Sequence, residues 1–256
     1  MGNMLTQQQT AILLGTLLGD ASIKRSGQMT LAHCAAQGDY LSWKVRQLSP
    51  LFRVQPIQTY SSAAGKRYPS FYVWSRVVPL LHELRQVFYP EGKKAVSPDV
   101  LARLDALGDQ LPLALAVWYM DDGSTQKDLA RFVWGGLTEA EYLLLARWFE
   151  SHGFPGTSDR QRRSNCVVYR ISAHDSRIFF KLIAPHVHPT MMYKVSISEH
   201  RQRGYTKDGK EIRSEILRLH GDGLSLAEIG RRTGITYPSV RYHLRKEVGD
   251  AVHALP

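Results

Sequence analysis

The stretch Leu13-Leu-Gly-Thr-Leu-Leu-Gly-Asp-Ala-Ser22 reappears in altered form 102 positions later, as Leu115-Ala-Val-Trp-Tyr-Met-Asp-Asp-Gly-Ser124. Each copy is an apolar run typical of a buried helix, and each ends in an acid. Burial of both runs would hold two helices side by side and bring Asp20 and Asp122 together. Two carboxylates in one place can bind a divalent cation. The repeat therefore predicts a paired-acid metal site.

The repeat extends beyond these two runs. Tyr40 matches Tyr142 at the same offset, and Lys94, which ends one half, matches Lys194 at an offset of 100. A period near one hundred residues is too long for a solenoid repeat. We therefore expect two αβ units that share one pseudo-twofold axis, with each acid on the axis and each lysine nearby.

Local patterns predict the elements of each half. The first helix is expected to begin after Thr6, whose hydroxyl caps it while Gln9 completes a capping box. Apolar periodicity and turn residues predict the other elements. These are strands at 29–34, 54–60 and 70–76, a helix at 40–52, and strands at 132–134 and 167–172.

Charge and composition narrow the class of protein. The 256 residues contain 33 Lys and Arg against 23 Asp and Glu, a net charge of +10, which favours polyanionic partners, with nucleic acid first and acidic membrane surfaces second. Cys34 and Cys166 lack metal-type spacing and are too few for a disulfide framework. No apolar run approaches membrane-spanning length. We expect a soluble, intracellular, cytoplasmic protein without a membrane partner.

Three further blocks accompany the two motifs: Asp39-Tyr-Leu-Ser-Trp-Lys44, Phe88-Tyr-Pro-Glu-Gly-Lys-Lys94 and Met192-Tyr-Lys194. In this order, over roughly residues 10–200, the set resembles the LAGLIDADG homing endonucleases in their single-chain, two-motif form. The resemblance implies an α+β fold of two αββαββα units. It also implies a monomer of bacterial, phage or organellar origin. Such a protein lays its sheets in the major groove of a long double-stranded DNA target. It cuts both strands and leaves 3′ overhangs.

The resemblance also assigns roles in the chemistry. Asp20 and Asp122 would bind Mg²⁺, for which Mn²⁺ is expected to substitute, and the residue after each acid, Ala21 and Gly123, joins the metal site. Lys94 and Lys194 would stabilise charge or polarise water. A register one residue earlier, with Lys93 in place of Lys94, is the alternative.

Small residues should allow the two motif helices to approach closely. Gly15 and Gly19 are spaced i and i+4 and leave one helix face without side chains, and Ala116 is their counterpart in the second helix. The second motif departs from the family pattern at Val117, where a glycine is expected, and at Asp121, where a small residue is expected. We interpret Asp121 as a structural or supporting polar group and not as a metal ligand.

Basic side chains on strand and hairpin candidates predict the DNA contacts. The candidates are Lys24, Arg25, Lys66, Arg67, Arg76, Arg160, Arg162, Arg163 and Arg170. The run Asp159-Arg-Gln-Arg-Arg163 precedes a strand where the resembled family has a groove-facing hairpin, which favours a role in DNA binding.

A separate helical unit is expected after the second half. The halves are predicted at 1–104 and 105–200, a polar linker at 201–210, and a helix-turn-helix unit at 211–256. In that unit Gly230 permits helix crossing, Gly234 forms the turn and Val240 packs inward. The candidates for DNA contact there are Ser239, Arg241, Tyr242 and Arg245.

Two alternatives use the same scaffold without DNA cleavage. A non-cleaving transcription regulator would join a LAGLIDADG-like domain to a helix-turn-helix, but the presence of both acids and both lysines argues against it. An intron RNA maturase would bind structured RNA, and the sequence contains no feature that discriminates it from a nuclease.

Overall fold

The computed structural model of the chain describes residues 5–63, 66–161, 166–195, 209–235, 240, 241 and 244. The chain divides into two compact units, Met1–Ser196 and Ile197–Pro256. Within the described residues, no helix combines the length and apolar character that a membrane crossing requires.

The first half of the larger unit alternates helices with a four-stranded antiparallel sheet. Its elements are α1 (Gln7–Leu18), β1 (Ser22–Ile23), β2 (Met29–Cys34), α2 (Gly38–Gln47), β3 (Ile57–Ala63), β4 (Lys66–Trp74), α3 (Pro79–Phe88) and α4 (Pro98–Asp105). The strand order is β1-β2-β4-β3. One sheet face packs on the helices through alternate residues such as Met29, Leu31 and Val73.

The second half repeats this order. Its elements are α5 (Leu111–Asp122), β5 (Gly123–Gln126), β6 (Leu129–Gly135), α6 (Glu139–Ser151), β7 (Gly156–Gln161), β8 (Cys166–Ile171) and α7 (Ala173–Ile183), with strand order β5-β6-β8-β7. Individual hydrogen bonds repeat as well. The N–H of Met29 donates to Ser75 Oγ, and the N–H of Ala130 donates to Ser176 Oγ, both at 2.9 Å. The expected α+β fold of two pseudo-symmetric halves is confirmed.

Element boundaries show where local patterns succeed and where they fail. The capping box formed by Thr6 and Gln9 is present at the start of α1. Helix α2, predicted at 40–52, begins at Gly38 and ends at Gln47, and the strands predicted at 54–60 and 70–76 lie at 57–63 and 66–74. Strands β1, β5 and β7 were missed because they are short, polar edge strands whose pairing partners lie elsewhere in the chain.

Helices α1 and α5 pack closely at the centre of the unit. A Cβ added to Gly15 would clash with the carbonyl oxygen of Ala114 and come within 2.9 Å of Val117 Cβ, and one added to Gly19 would clash with Asp121. Val117 and Asp121 stand 102 residues after Gly15 and Gly19, so each first-half glycine faces its own repeat counterpart. The second motif therefore has room for the larger residues Val117 and Asp121, because the first motif carries glycine at both facing positions. Ala116 is fully buried, as its place in the helix predicts.

The smaller unit contains α8 (Gly209–Gly221) and α9 (Leu226–Thr233). Ser225 caps α9, and Gly234 ends it in the left-handed conformation with φ 71°. Ile216, Leu219, Ile229 and Val240 form its buried core. Residues 201–208 of the predicted linker lie outside the described residues, and residues 209 and 210 belong to α8.

We expect Gly15→Ala to lower the free energy of unfolding by about 1–3 kcal/mol, because the added methyl overpacks the contact with Ala114 and Val117. Adding Val117→Gly should relieve part of the overpacking, so the double-mutant cycle, followed by urea denaturation, gives a favourable coupling. Gly135→Ala is the control because its Cβ would meet only ordinary contact. A Gly15→Ala variant as stable as this control would contradict the prediction.

Candidate functional site

The two repeat-related acids lie at neighbouring helix ends. Asp122 is the last residue of α5, and Asp20 follows the C-terminal cap of α1 at Gly19. Burial raises the pKa of Asp20, and the nearby Asp121 carboxylate raises it further. Burial, then the carboxylates of Asp20 and Asp121, raise the pKa of Asp122 to about 7. Asp20 thus lies close enough to Asp122 to disfavour the negative charge of that second acid.

Each acid has a lysine beside it that holds the adjoining helix end. Lys94 Nζ donates to the carbonyl oxygens of Gly19 at 2.6 Å and Ala21 at 3.2 Å. Lys194 Nζ donates to those of Met120 at 2.5 Å and Asp121 at 3.1 Å. Burial lowers the pKa of both lysines, while the surrounding acids oppose that shift. The ammonium groups therefore cap the carbonyl ends of the two motif helices, where positive charge is favourable.

The two adjacent lysines of the first half have different contacts. Lys93 is exposed and donates to the carbonyl oxygen of Gly136 at 2.7 Å. Lys94 instead reaches the carbonyl end of α1 with its ammonium group. Of the two adjacent lysines, Lys94 is the one placed beside the acids.

Asp121 belongs to a buried ion pair between the two halves. Its two carboxylate oxygens accept hydrogen bonds from Lys44 Nζ at 2.6 and 2.7 Å, and both side chains are fully buried. The Tyr40 hydroxyl donates to the same carboxylate at 3.0 Å, and so does the backbone N–H of Asp20 at 3.2 Å. Asp121 therefore connects helix α2 to the turn that carries the first acid.

His33 adjoins this ion pair and the first acid. Its Nε2 lies 3.3 Å from Lys44 Nζ, and its Nδ1 lies 3.0 Å from Gln37 Oε1 and 3.5 Å from Asp20 Oδ2. Burial and the Lys44 charge lower the pKa of His33, while the nearby carboxylates oppose that shift. Burial and the adjoining ammonium thus favour the neutral imidazole, beside a partly exposed carboxylate.

The surroundings of the second acid are different. Asp122 and Lys94 border a cavity of about 230 Å³ that is also lined by Gly19, Trp134 and Leu145. The hydrogen bonds to Ser75 and Ser176 align β2 with β6 at an offset of 101, so Trp134 occupies the position of His33. Trp134 and Leu145 thus line a cavity beside the second acid, whereas His33 and Lys44 form a polar network beside the first.

The sheet face that points away from the helices carries paired arginines in the second half. Arg131 and Arg170 are directly opposed in the β6–β8 register, and Thr157 continues the row on β7. Asp159 Oδ2 lies 3.7 Å from Arg170, and Arg131 also donates to Gln126. Two like charges directly across a strand pair are unfavourable unless counter-charge is supplied. This face is therefore suited to a polyanion.

The other predicted DNA contacts are placed differently. Lys24 and Arg25 are exposed in the turn between β1 and β2, and Arg67 is exposed on β4 with its guanidinium 4.6 Å from the Tyr60 ring centre. Two further candidates have contacts within the chain. Arg76 is half-buried and donates to the Pro50 carbonyl, so it holds the chain locally. Arg160 shares its sheet face with Val167 and lies over the Tyr142 ring at 5.8 Å, on the helix side of the sheet.

Several candidates lie outside the described residues. These are the side chain of Lys66 and the residues Arg162, Arg163, Ser239, Tyr242 and Arg245. Arg241 is described and exposed, next to the buried Val240.

Sequence reasoning missed His33, Tyr40, Lys44 and Arg131, and it gave Asp121 no partner. One signal was available, because Lys44 falls on the face of α2 that also presents the buried Tyr40 and Leu41. A lysine on an apolar helix face calls for a buried acid. Asp121, at the end of an otherwise apolar helix, is the matching acid.

The chain is similar to known proteins in sequence and in fold. Residues 10–179 match the model of the LAGLIDADG DNA endonuclease family. Protein RecA of Mycolicibacterium chitae is 30% identical over 212 residues, 75% of this chain and 47% of that protein, so the chain spans about half the length of this relative. Cytochrome b mRNA maturase bI2 of Debaryomyces hansenii is 26% identical over 203 residues, 75% of this chain and 74% of that protein. A solved structure is also similar, that of the homing endonuclease I-WcaI bound to its DNA recognition sequence. The TM-score is 0.66 at 21% sequence identity, and the match covers 77% of this chain and 89% of that chain. This similarity shows a shared fold.

We expect Lys44→Met alone to lower the free energy of unfolding by about 3–5 kcal/mol, because it leaves the Asp121 carboxylate buried without its counter-charge. Adding Asp121→Ala should recover part of this loss, since the unpaired charge is removed. Urea denaturation of the two single variants and the double variant measures the coupling. The exposed pair Arg103–Glu83 is the control and should couple by less than about 1 kcal/mol. Additive losses at Lys44 and Asp121 would refute the buried pair.

Proposed function

Because the chain belongs to the LAGLIDADG DNA endonuclease family, we propose that it is a site-specific endonuclease that hydrolyses both strands of a long double-stranded DNA target and leaves 3′ overhangs. The observation that carries the proposal is the pair of acids, Asp20 and Asp122, at neighbouring helix ends, each beside a lysine that caps that end. The net charge of +10 favours approach to DNA.

The donor set fits a divalent cation. Two carboxylates close together and partly buried raise each other's pKa, as at Asp122, and a cation would relieve that repulsion. Asp20 and Asp122 would hold Mg²⁺ or Mn²⁺, with Ala21 and Gly123 following them in the chain. When bound, the cation would activate water and stabilise the leaving 3′ oxygen.

The protein's own contribution is to place the acids and keep positive charge near the phosphate. Lys94 fixes the turn that carries Asp20 through the carbonyls of Gly19 and Ala21, and Lys194 fixes the end of α5. Both ammonium groups also lie where negative charge would grow during phosphodiester hydrolysis. The lysines thus combine anchoring with electrostatic stabilisation.

Arg131 and Arg170 would contact the DNA backbone or base edges from the second sheet, and Lys24, Arg25 and Arg67 from the first half. The first sheet presents Tyr72 and Trp74 on the corresponding face, with ring centres 5.9 Å apart. The two half-sites of the target would accordingly be recognised by different chemistry, with charge dominant in one and apolar contact in the other.

A second candidate function is RNA binding as an intron maturase. It is favoured by the 26% identity to a cytochrome b mRNA maturase over 75% of this chain. The two functions separate experimentally, because a maturase supports intron splicing without the paired acids, whereas a nuclease needs them.

We expect plasmid linearisation in Mg²⁺ or Mn²⁺ and none in EDTA. Asp20→Asn and Asp122→Asn should slow it more than about a hundredfold, because a carboxamide cannot neutralise the cation. DNA binding should survive, since the substitutions remove negative charge. A target selected from a random DNA library supplies the substrate, and the exposed acid in Asp109→Asn is the control. Undiminished cutting in EDTA, or by the double Asn variant, would rule out this function.

For DNA affinity, Arg131→Ala and Arg170→Ala should each weaken binding and reduce the salt slope of the association constant by about one. Fluorescence anisotropy at several salt concentrations measures both effects. The matched control is Arg103→Ala, whose guanidinium pairs with Glu83 away from the sheet. An unchanged salt slope for the two sheet arginines would remove them from the interface.

The smaller unit is proposed as an accessory DNA-binding module. Its capped α9, left-handed Gly234 and buried Val240 support a helix-turn-helix arrangement that presents Arg241. Arg241→Ala should shorten the footprint on one flank and leave the cleavage rate at saturating protein unchanged. Arg218→Ala is the control, because Arg218 already pairs with Asp222 at 2.9 Å. Identical footprints for Arg241→Ala and the wild type would favour a purely structural unit.

A further inference from the structure

We propose that His33 is a positioning residue for Asp20, that its orientation is imposed by the Asp121–Lys44 ion pair, and that it makes the two cleavage half-sites chemically unequal. The inference deepens the proposed nuclease function and rests on it. It concerns the rate at which each DNA strand is cut.

The buried ion pair fixes the position of the Lys44 ammonium group. Lys44 Nζ is fixed between the two oxygens of Asp121 at 2.6 and 2.7 Å, with no exposure of either side chain. The same ammonium lies 3.3 Å from His33 Nε2. An ammonium group has only donors, so Nε2 must be the acceptor in this contact.

The hydrogen of the neutral imidazole is therefore on Nδ1. Nδ1 faces two acceptors, Gln37 Oε1 at 3.0 Å and Asp20 Oδ2 at 3.5 Å. Gln37 holds the ring plane, and the N–H dipole is directed towards the carboxylate. Asp20 is oriented from its other side as well, because its backbone N–H donates to Asp121 Oδ2. One buried ion pair thus orients both the main chain and the side chain of the first acid.

The second acid has different neighbours. The positions equivalent to His33 and Asp121 are occupied by Trp134 and Gly19. Both line the cavity beside Asp122, together with Leu145. Neither residue carries an imidazole or a carboxylate, so the constraint on Asp122 must differ from that on Asp20.

Direct metal ligation by His33 is less consistent with the contacts. Ligand atoms of Asp20, His33 and Asp121 all lie within 4.8 Å of one another. However, the Lys44 ammonium already occupies the position between the Asp121 oxygens, where a second cation would be repelled. The nitrogen nearest Asp20 carries the hydrogen and cannot ligate. Orientation of Asp20 is therefore the role that the geometry supports.

The test compares wild type, His33→Asn and His33→Leu on an end-labelled duplex that carries the selected target. Asn can place an N–H near the position of Nδ1, whereas Leu cannot. We expect His33→Leu to slow the cutting of one strand about 10–100-fold, so that nicked duplex accumulates, with unchanged DNA affinity. His33→Asn should restore most of that rate. The other strand, cut by the same molecules, is the internal control. Equal slowing of both strands, or equal rates for the Asn and Leu variants, would overturn the inference.

A second measurement on the full-length protein does not depend on cleavage. Long-range ¹H–¹⁵N NMR spectra should show His33 protonated on Nδ1 in the wild type. The double variant Lys44→Met, Asp121→Ala should lose this preference, because Nε2 no longer faces an ammonium group. An Nε2–H form in the wild type would overturn the inference even if the protein cuts DNA. An Nδ1–H wild type that cuts no DNA would instead overturn the proposed function and leave the orientation of His33 supported.

Discussion

Helices α1 and α5 lie so close together that Gly15 and Gly19 have no room for a side chain, and the placement of the acids depends on that contact. The close approach brings two helix ends, and with them Asp20 and Asp122, to one location. Each glycine faces its repeat counterpart, Val117 or Asp121, because residues on a twofold axis meet their own equivalents. The close contact therefore needs a glycine at only one of the two facing positions.

The Lys44–Asp121 pair shows how the two halves diverged without losing that contact. A buried ion pair carries a large desolvation cost, which only good geometry and further hydrogen bonds offset. Here Tyr40 and the Asp20 N–H provide those bonds. In the other half Trp134 and Gly19 stand at the positions of His33 and Asp121, beside a cavity that Asp122 also lines. The members of the polar network therefore depend on one another, since a single member without its partners would be an unpaired buried group.

The same divergence is visible on the open faces of the two sheets. Arg131 and Arg170 lie side by side in the second half, where an anion would relieve their repulsion. The first half has Tyr72 and Trp74 on the equivalent face. A pseudo-symmetric scaffold thus presents two unlike surfaces.

The sequence alone determined the repeat, the α+β class, the acids, the lysines and the capping box at Thr6, because each is expressed in residue spacing or in a local hydrogen bond. It placed Lys94 only to within one residue, and it did not show that Arg76 contacts Pro50 or that Arg160 lies on the helix side of its sheet. Only the tertiary structure decided the partner of Asp121, which is 77 residues away at Lys44, the orientation of His33, and the pairing of Arg131 with Arg170. Such contacts depend on strand register and helix packing, and a shift of one residue in a strand moves every side chain to the opposite face.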